Sequence, residues 1–175
     1  MDQVILVDTD AVPIGSAEKL EAHRSPGMLH LALSVFLFDD ERRLLLQRRS
    51  PNKYHFRGLW SNTCCSHPRP GEAPVPAGRR RLREEMGIDA ELRALGTFRY
   101  RAEDPGTGMV ETEIDHVLIG GYEGDPDPDP AEVSQWRWVD LDDLAIDLVQ
   151  RPGAYTPWLP KSLALATGIE VTPLL

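Results

Sequence analysis

Two cysteines are all that this 175-residue chain contains. They are neighbours, Cys64 and Cys65, and adjacent cysteines are poorly placed to bridge each other. A scaffold held by disulfides is therefore excluded, and a reduced, cytoplasmic setting with one reactive thiol is the expectation. Long apolar runs are missing too. Nothing approaches the roughly 18 consecutive apolar residues of a membrane span, so no membrane partner is expected. The opening MDQVILVDTD carries acids where a signal peptide carries basic residues, which argues against secretion. Internal repeats and a second-domain linker are absent as well. Positive charge is scarce: 19 Lys and Arg face 28 Asp and Glu, and the net charge of −9 argues against a nucleic-acid surface.

What is present reads as an ordinary globular chain, 41% hydrophobic and 27% charged. Its length suits a single domain over residues 1–175, with a core over about 28–165 and a loose C-terminal tail from Glu170. Ten of the 19 basic residues fall in two short segments, Arg42 to Arg57 and Arg79 to Arg83. Cations clustered within an acidic protein suit a small anionic ligand better than a polymer.

The patterns predict elements in a mixed order. Val4–Val7 reads as an edge strand, Val12–Gly15 as a turn, and Ser16 as the cap of a short helix through Ala22. Leu29–Phe38 reads as a central strand, with Leu44–Arg48 as its hairpin partner. Thr63–His67 is extended. Pro74 and Pro76 delay a helix to Ala77–Met86, which Gly87 stops. Ile88–Leu95 and Thr97–Arg101 read as two strands, Val110–Ile119 and Val133–Val139 as two more, and Leu141–Gln150 as a helix. Thr156 caps a last helix with Pro157 at its first position. This order implies a layered α/β sandwich.

Chemistry concentrates between Trp60 and Gly87. Cys65 and His67 stand on alternate residues, a Pro-Arg-Pro-Gly turn follows, and Glu84 and Glu85 lie on the helix beyond it. On that helix Arg81 reaches Glu85, and Arg80 reaches Glu84, at i, i+4. In Val110–Ile119, alternation puts Glu111, Glu113 and Asp115 on one face, where the three acids are either solvated or share a cation. Of the five histidines, His23, His30 and His67 can meet only if the fold brings them together; with two carboxylates they would make a site for a divalent transition ion.

The run from Glu72 through Arg80-Arg81-Leu82-Arg83-Glu84-Glu85-Met86-Gly87-Ile88 resembles the box of the Nudix superfamily: a Gly, a Glu, then Arg-Glu-apolar-x-Glu-Glu-x-Gly-apolar. It departs at two places, Ser66 for the Gly and Arg81 for the Glu after the Arg. A cation at Arg81 repels the metals a Nudix hydrolase collects and attracts phosphate, which stands against the alternative reading, a Nudix diphosphate hydrolase. With Cys-Ser-His-Pro ahead of the box, the chain is similar, from about Val4 to about Leu163, to the type I isopentenyl diphosphate isomerases.

The resemblance implies a single-domain Nudix-like αβα sandwich with a mixed sheet. It also implies an enzyme of isoprenoid biosynthesis that interconverts isopentenyl and dimethylallyl diphosphate through a carbocation-like intermediate. Residue by residue, it implies Cys65 and Glu113 as the acid–base pair, Tyr100 as hydrogen-bond partner of that carboxylate, and Trp158 as the ring facing the cation. Lys19, Arg49, Lys53 and Arg81 would bind the diphosphate. His23, His30, His67, Glu111 and Glu113 would hold Mn²⁺ or Zn²⁺, and Glu85 a Mg²⁺ that arrives with the substrate. No flavin is implied, and the expected state is a monomer whose only partner is the small diphosphate. His55 and His116 match no ligand and are expected to be structural or surface residues.

Overall fold

The longest apolar run becomes the strand on which the others assemble. The structure, a computed structural model, describes residues 2–171; positions 172–175 of the expected tail lie outside the described residues. Strands β1 (Gln3–Val7) and β2 (Pro13–Glu18) lead into the short α1 (Lys19–Ala22). Next come β3 (His30–Phe38), β4 (Leu44–Arg49), β5 (Trp60–Ser61), β6 (Cys64–Ser66) and α2 (Pro74–Met86). Strands β7 (Arg93–Glu103), β8 (Val110–Gly121) and β9 (Val133–Val139), then α3 (Leu141–Gln150) and α4 (Leu159–Thr167), complete the described order. Among the described residues nine strands form one mixed sheet. β3 runs parallel to β8 and antiparallel to β6, β7 pairs with β8, and β4 pairs chiefly with β9.

The alternation of β3 explains the layers. Leu33, Val35 and Leu37 pack with Leu45 of β4 and with Ala77, Leu82 and Met86 of α2. Phe36, on the other face, packs with Val117, with Leu144 and Leu148 of α3, and with Leu159 and Leu163 of α4. Helices thus cover both faces, giving the expected αβα sandwich. α2 sits close: a Cβ on Gly78 would come within 2.5 Å of Leu118 Cδ1, so any larger residue there would force the buried Leu118 side chain to shift. No described helix is long and apolar enough to cross a membrane.

Several expected boundaries move. β1 is an inner strand, because residues 13–18 form β2 beyond it and not a turn. Glu18, not Ser16, caps α1, accepting from the Glu21 N–H. Pro74 and Pro76 do not delay α2. They lie in its first turn, where a missing N–H costs nothing. Gly87 ends α2 in the left-handed conformation, φ 67°, as expected. The two strands expected over 88–101 are one, β7, with a bulge between Ala94 and Gly96. Thr156 does not cap α4, because its hydroxyl bonds to Ser61 Oγ at 3.0 Å; Trp158 occupies the cap position. Packing also begins before residue 28: Val4, Val7 and Ala22 are buried.

Candidate active site and metal centre

Paired residues on neighbouring strands point to the same side of a sheet. His30 pairs with Glu113, Ala32 with Asp115 and Ser34 with Val117; Ser34 also pairs with Cys65, and Tyr100 with Glu113. The register therefore gathers His30, Cys65, Tyr100, Glu113 and Asp115 on one face. It also separates the two cysteines. Cys64 pairs with Val35 and joins the core under α2, whereas Cys65 lines a crevice with Lys19, Arg49, Lys53, Glu85 and Trp158.

The three acids of β8 are not solvated. Glu111, Glu113 and Asp115 are 3%, 4% and 2% exposed, which leaves a shared cation as the surviving alternative. His23, His30 and His67 come together, with ring centroids 4.8 to 5.3 Å apart. Together with Glu111 and Glu113, each offers a ligand atom, and these atoms all lie within 4.8 Å of one another. The tautomers support a cation. His23 Nδ1 lies 2.6 Å from Lys19 O and His30 Nδ1 lies 2.7 Å from Met28 O, so each donates there, which in a neutral ring leaves the lone pair on Nε2. Those lone pairs face carboxylate oxygens: His23 Nε2 is 2.9 Å from Glu111 Oε2, and His30 Nε2 is 3.2 Å from Glu113 Oε1. With both rings neutral, acceptor meets acceptor in the interior, an arrangement that suits a divalent ion held by nitrogen and oxygen.

In the metal-free chain, against the opposing effect of burial, hydrogen bonds to His23 and His55 hold Glu111 well below the usual carboxylate range, and Glu111 in turn raises the pKa of His23. Burial, then the Glu111 charge, hold the Glu113 carboxyl above the usual range. Burial, then the Glu113 charge, push Asp115 well up, while Ser34 Oγ donates to its Oδ2 at 2.7 Å. Burial, then the neighbouring His30, keep His67 well below the ordinary histidine value. Tyr100 Oη donates to Glu113 Oε2.

Cys65 is fixed as a neutral thiol. Burial pushes its pKa up to about 12. Its S–H donates to Asn62 Oδ1 at 2.9 Å, and Trp158 Nε1 approaches Sγ at 3.2 Å. The Asn62 amide cannot flip, because its Nδ2 donates to Val35 O and Cys64 O at 3.1 and 2.9 Å. Tyr100 and Trp158 line the crevice and Phe56 packs against them, the Phe56 and Trp158 rings edge to face at 5.4 Å. The π face of Trp158 attracts a cation and itself offers no lone pair that would trap it.

The cationic residues divide. Lys19, Arg49 and Lys53 line the same crevice as Cys65 and Glu113. Arg81 lies in an adjoining crevice with Lys19, Arg69 and Arg80. There it pairs with Glu84 at 2.6 Å and also with Glu85 and Glu132; Lys53 is held by Glu132 as well. Glu85 is buried yet stands outside the five-residue cluster, with Gln47 Nε2 donating to it at 3.4 Å. Burial, then the charges of Lys53 and Arg81, lower the Lys19 pKa, a crowding that a bound anion relieves.

Sequence reasoning missed residues 54–56. His55 is 4% exposed and touches Glu111, so it is not a surface residue. Its neighbour Tyr54 stacks on it at 4.2 Å and lines the crevice with a buried hydroxyl that bonds to no described residue. The available signal was three successive ring side chains in a loop, more apolar surface than a loop leaves to water. His116, half-buried on the other face of β8, takes no part.

Comparison with known proteins places these residues in context. Residues 28–159 match the NUDIX domain family. Isopentenyl-diphosphate Delta-isomerase 2 of Aromatoleum aromaticum is 52% identical over 162 residues, covering 93% of this chain and 85% of that protein. The isopentenyl-diphosphate Delta-isomerase of Nocardia farcinica is 51% identical, covering 93% of each. Among solved structures, DR0079 from Deinococcus radiodurans superposes with a TM-score of 0.74, covering 94% of this chain and 98% of its own, and at 21% identity it shows the fold alone.

Proposed function

The chain belongs to the NUDIX domain family and, within it, to the isopentenyl-diphosphate Delta-isomerases, and we propose that Cys65 and Glu113 are the pair that moves its protons. The reaction takes isopentenyl diphosphate to dimethylallyl diphosphate in isoprenoid biosynthesis. The alkene has no carbonyl beside it to acidify a C–H bond. A proton therefore adds first to the terminal carbon, the π electrons forming the new C–H bond and leaving a tertiary cation. The C2–H electron pair then closes the new double bond, and that proton passes to a base. The group that donates in one direction accepts in the other, because the reaction is reversible. At pH 7 the Cys65 thiol carries its proton, and the Glu113 carboxyl, raised toward neutrality, can hold or release one.

One observation carries this reading: Cys65 and Glu113 line a single crevice together with Tyr100 and Trp158. Trp158 would face the developing cation. Lys19, Arg49 and Lys53 would hold the diphosphate at the polar end, Arg by a fork and Lys as point charges. Arg81 would join them only by leaving its carboxylates. His23, His30, His67, Glu111 and Glu113 would hold a divalent ion of the Mn²⁺ or Zn²⁺ kind, which would fix the Glu113 carboxylate and tune its basicity. Glu85 would meet a Mg²⁺ accompanying the diphosphate. The chemistry needs no flavin, and a reducing compartment such as the cytoplasm would keep the Cys65 thiol free.

The test is incubation of the protein with isopentenyl diphosphate and divalent metal in D₂O without flavin, followed by NMR. Deuterium in a methyl group of the allylic product is expected. Product without deuterium, or release of phosphate from nucleoside diphosphate derivatives in place of isomerisation, would overturn the proposal.

A further inference from the structure

We propose that His55 is a positioning residue, whose ring N–H orients Glu111 so that the second oxygen of that carboxylate faces the cation. The inference rests on reading His23, His30, His67, Glu111 and Glu113 as the ligand set. His55 lies outside that set, and the resemblance assigned it no role.

The ring nitrogens differ in their surroundings. His55 Nδ1 is buried and meets no hydrogen-bond partner among the described residues. Nε2 meets Glu111 Oε1. A carboxylate oxygen only accepts, so the proton sits on Nε2 and His55 donates. Glu111 Oε1 is thereby occupied, and Oε2 is turned toward His23 Nε2 at 2.9 Å, inside the ligand cluster. Without that donor the carboxylate would be free to rotate about its last bond and lose the fixed direction of Oε2. Ligand-orienting bonds of this kind typically change metal affinity by about 10- to 100-fold.

The donor is itself held. The His55 ring stacks on Tyr54 at 4.2 Å and meets His23 edge to face at 5.3 Å. Its carbonyl accepts from Arg49 Nη2 at 3.1 Å, and Phe56 O accepts from Arg49 Nε at 3.1 Å. Phe56 N donates to Asp104 Oδ2 at 3.1 Å. The loop between β4 and β5 thus carries the Glu111 donor, and Arg49, a crevice cation at the end of β4, fastens the loop through its carbonyls.

Two substitutions separate donation from packing. His55→Phe keeps the ring volume and the stacking but removes the N–H. His55→Gln loses the ring but returns an N–H close to the place of Nε2. Mn²⁺ binding to metal-free protein is measured by calorimetry, and the visible spectrum of bound Co²⁺ reports ligand geometry. Circular dichroism of each metal-free variant controls for folding, and His67→Ala tests the ligand set. The expected result is about 10- to 100-fold weaker Mn²⁺ binding in H55F, with H55Q within about threefold of the parent chain and the Co²⁺ spectrum altered only in H55F. Unchanged affinity in H55F overturns the inference. So does weakening confined to H55Q, which would make His55 a packing residue. If His67→Ala binds Mn²⁺ like the parent chain, the ligand set falls and the inference falls with it.

Discussion

Replacing Tyr100 with Phe removes one oxygen and little else. The hydroxyl donates to Glu113 Oε2, and both residues are buried, 8% and 4% exposed. The ring keeps its neighbours, Phe98 stacked at 5.6 Å and Trp158 at 6.1 Å, so the fold should survive. A hydrogen bond to an ionised group contributes about 1.5–3 kcal/mol. Its loss weakens the charged form of the carboxylate, and at 1.36 kcal/mol per unit the Glu113 pKa rises by about one to two units. If the bond also holds the carboxyl in line with the alkene, kcat at neutral pH falls by about 10- to 100-fold. The assay is kcat for isopentenyl diphosphate by NMR from mildly acidic to mildly alkaline pH. In Tyr100→Phe the limb that reports ionised Glu113 should move to higher pH while the thermal midpoint stays within a few degrees. An unmoved pH profile with unchanged kcat would refute the reasoning. A lowered midpoint with an unmoved profile would reduce Tyr100 to packing.

Three further outcomes are expected. Cys65→Ser should cost at least about 100-fold in turnover, the size of a lost proton-transfer group, with an unchanged far-UV spectrum; near-normal turnover would remove the thiol from the chemistry. Trp158→Leu should weaken an ammonium analogue of the cation by about 30-fold, the equivalent of about 2 kcal/mol of desolvated cation–π attraction, while substrate KM moves less; equal losses would make the ring a packing group. In metal-free protein Glu113 has a raised folded pKa, so its contribution to stability is complete at low pH and is lost as pH climbs from about 4.5 to about 7. The melting-temperature difference between the parent chain and Glu113→Gln should therefore fall across that interval, and parallel melting curves would contradict the shift.

Periodicity carried the layers well, because β3, β8, β9 and α3 bury faces that their own sequences announce. It failed where neighbours decide. Residues 13–18 are mostly exposed and show no apolar alternation, yet they pair with β1 as an edge strand, since ladder hydrogen bonds need no particular side chains. The last helix begins later than its local signals imply, because Thr156 spends its hydroxyl on Ser61, a residue 95 positions away.

The site follows the same division. That Glu111, Glu113 and Asp115 share a face is legible from alternation, but whether that face is wet depends on what covers it, and burial settled the question. Nothing local joins His23, His30 and His67. Register does, because the parallel pairing of β3 with β8 sets His30 beside Glu113 and the antiparallel pairing with β6 extends the same face to Cys65. A slip of one residue in β6 would exchange Cys65 for Cys64, delivering to the crevice a thiol that the core now encloses. At this point Asn62 adds to the β3–β6 pairing, its amide reaching Val35 O and Cys64 O while its oxygen takes the Cys65 thiol proton. A residue that braces this pairing thus also orients the proton of the thiol that enters the crevice, and neither role is visible from the motif alone.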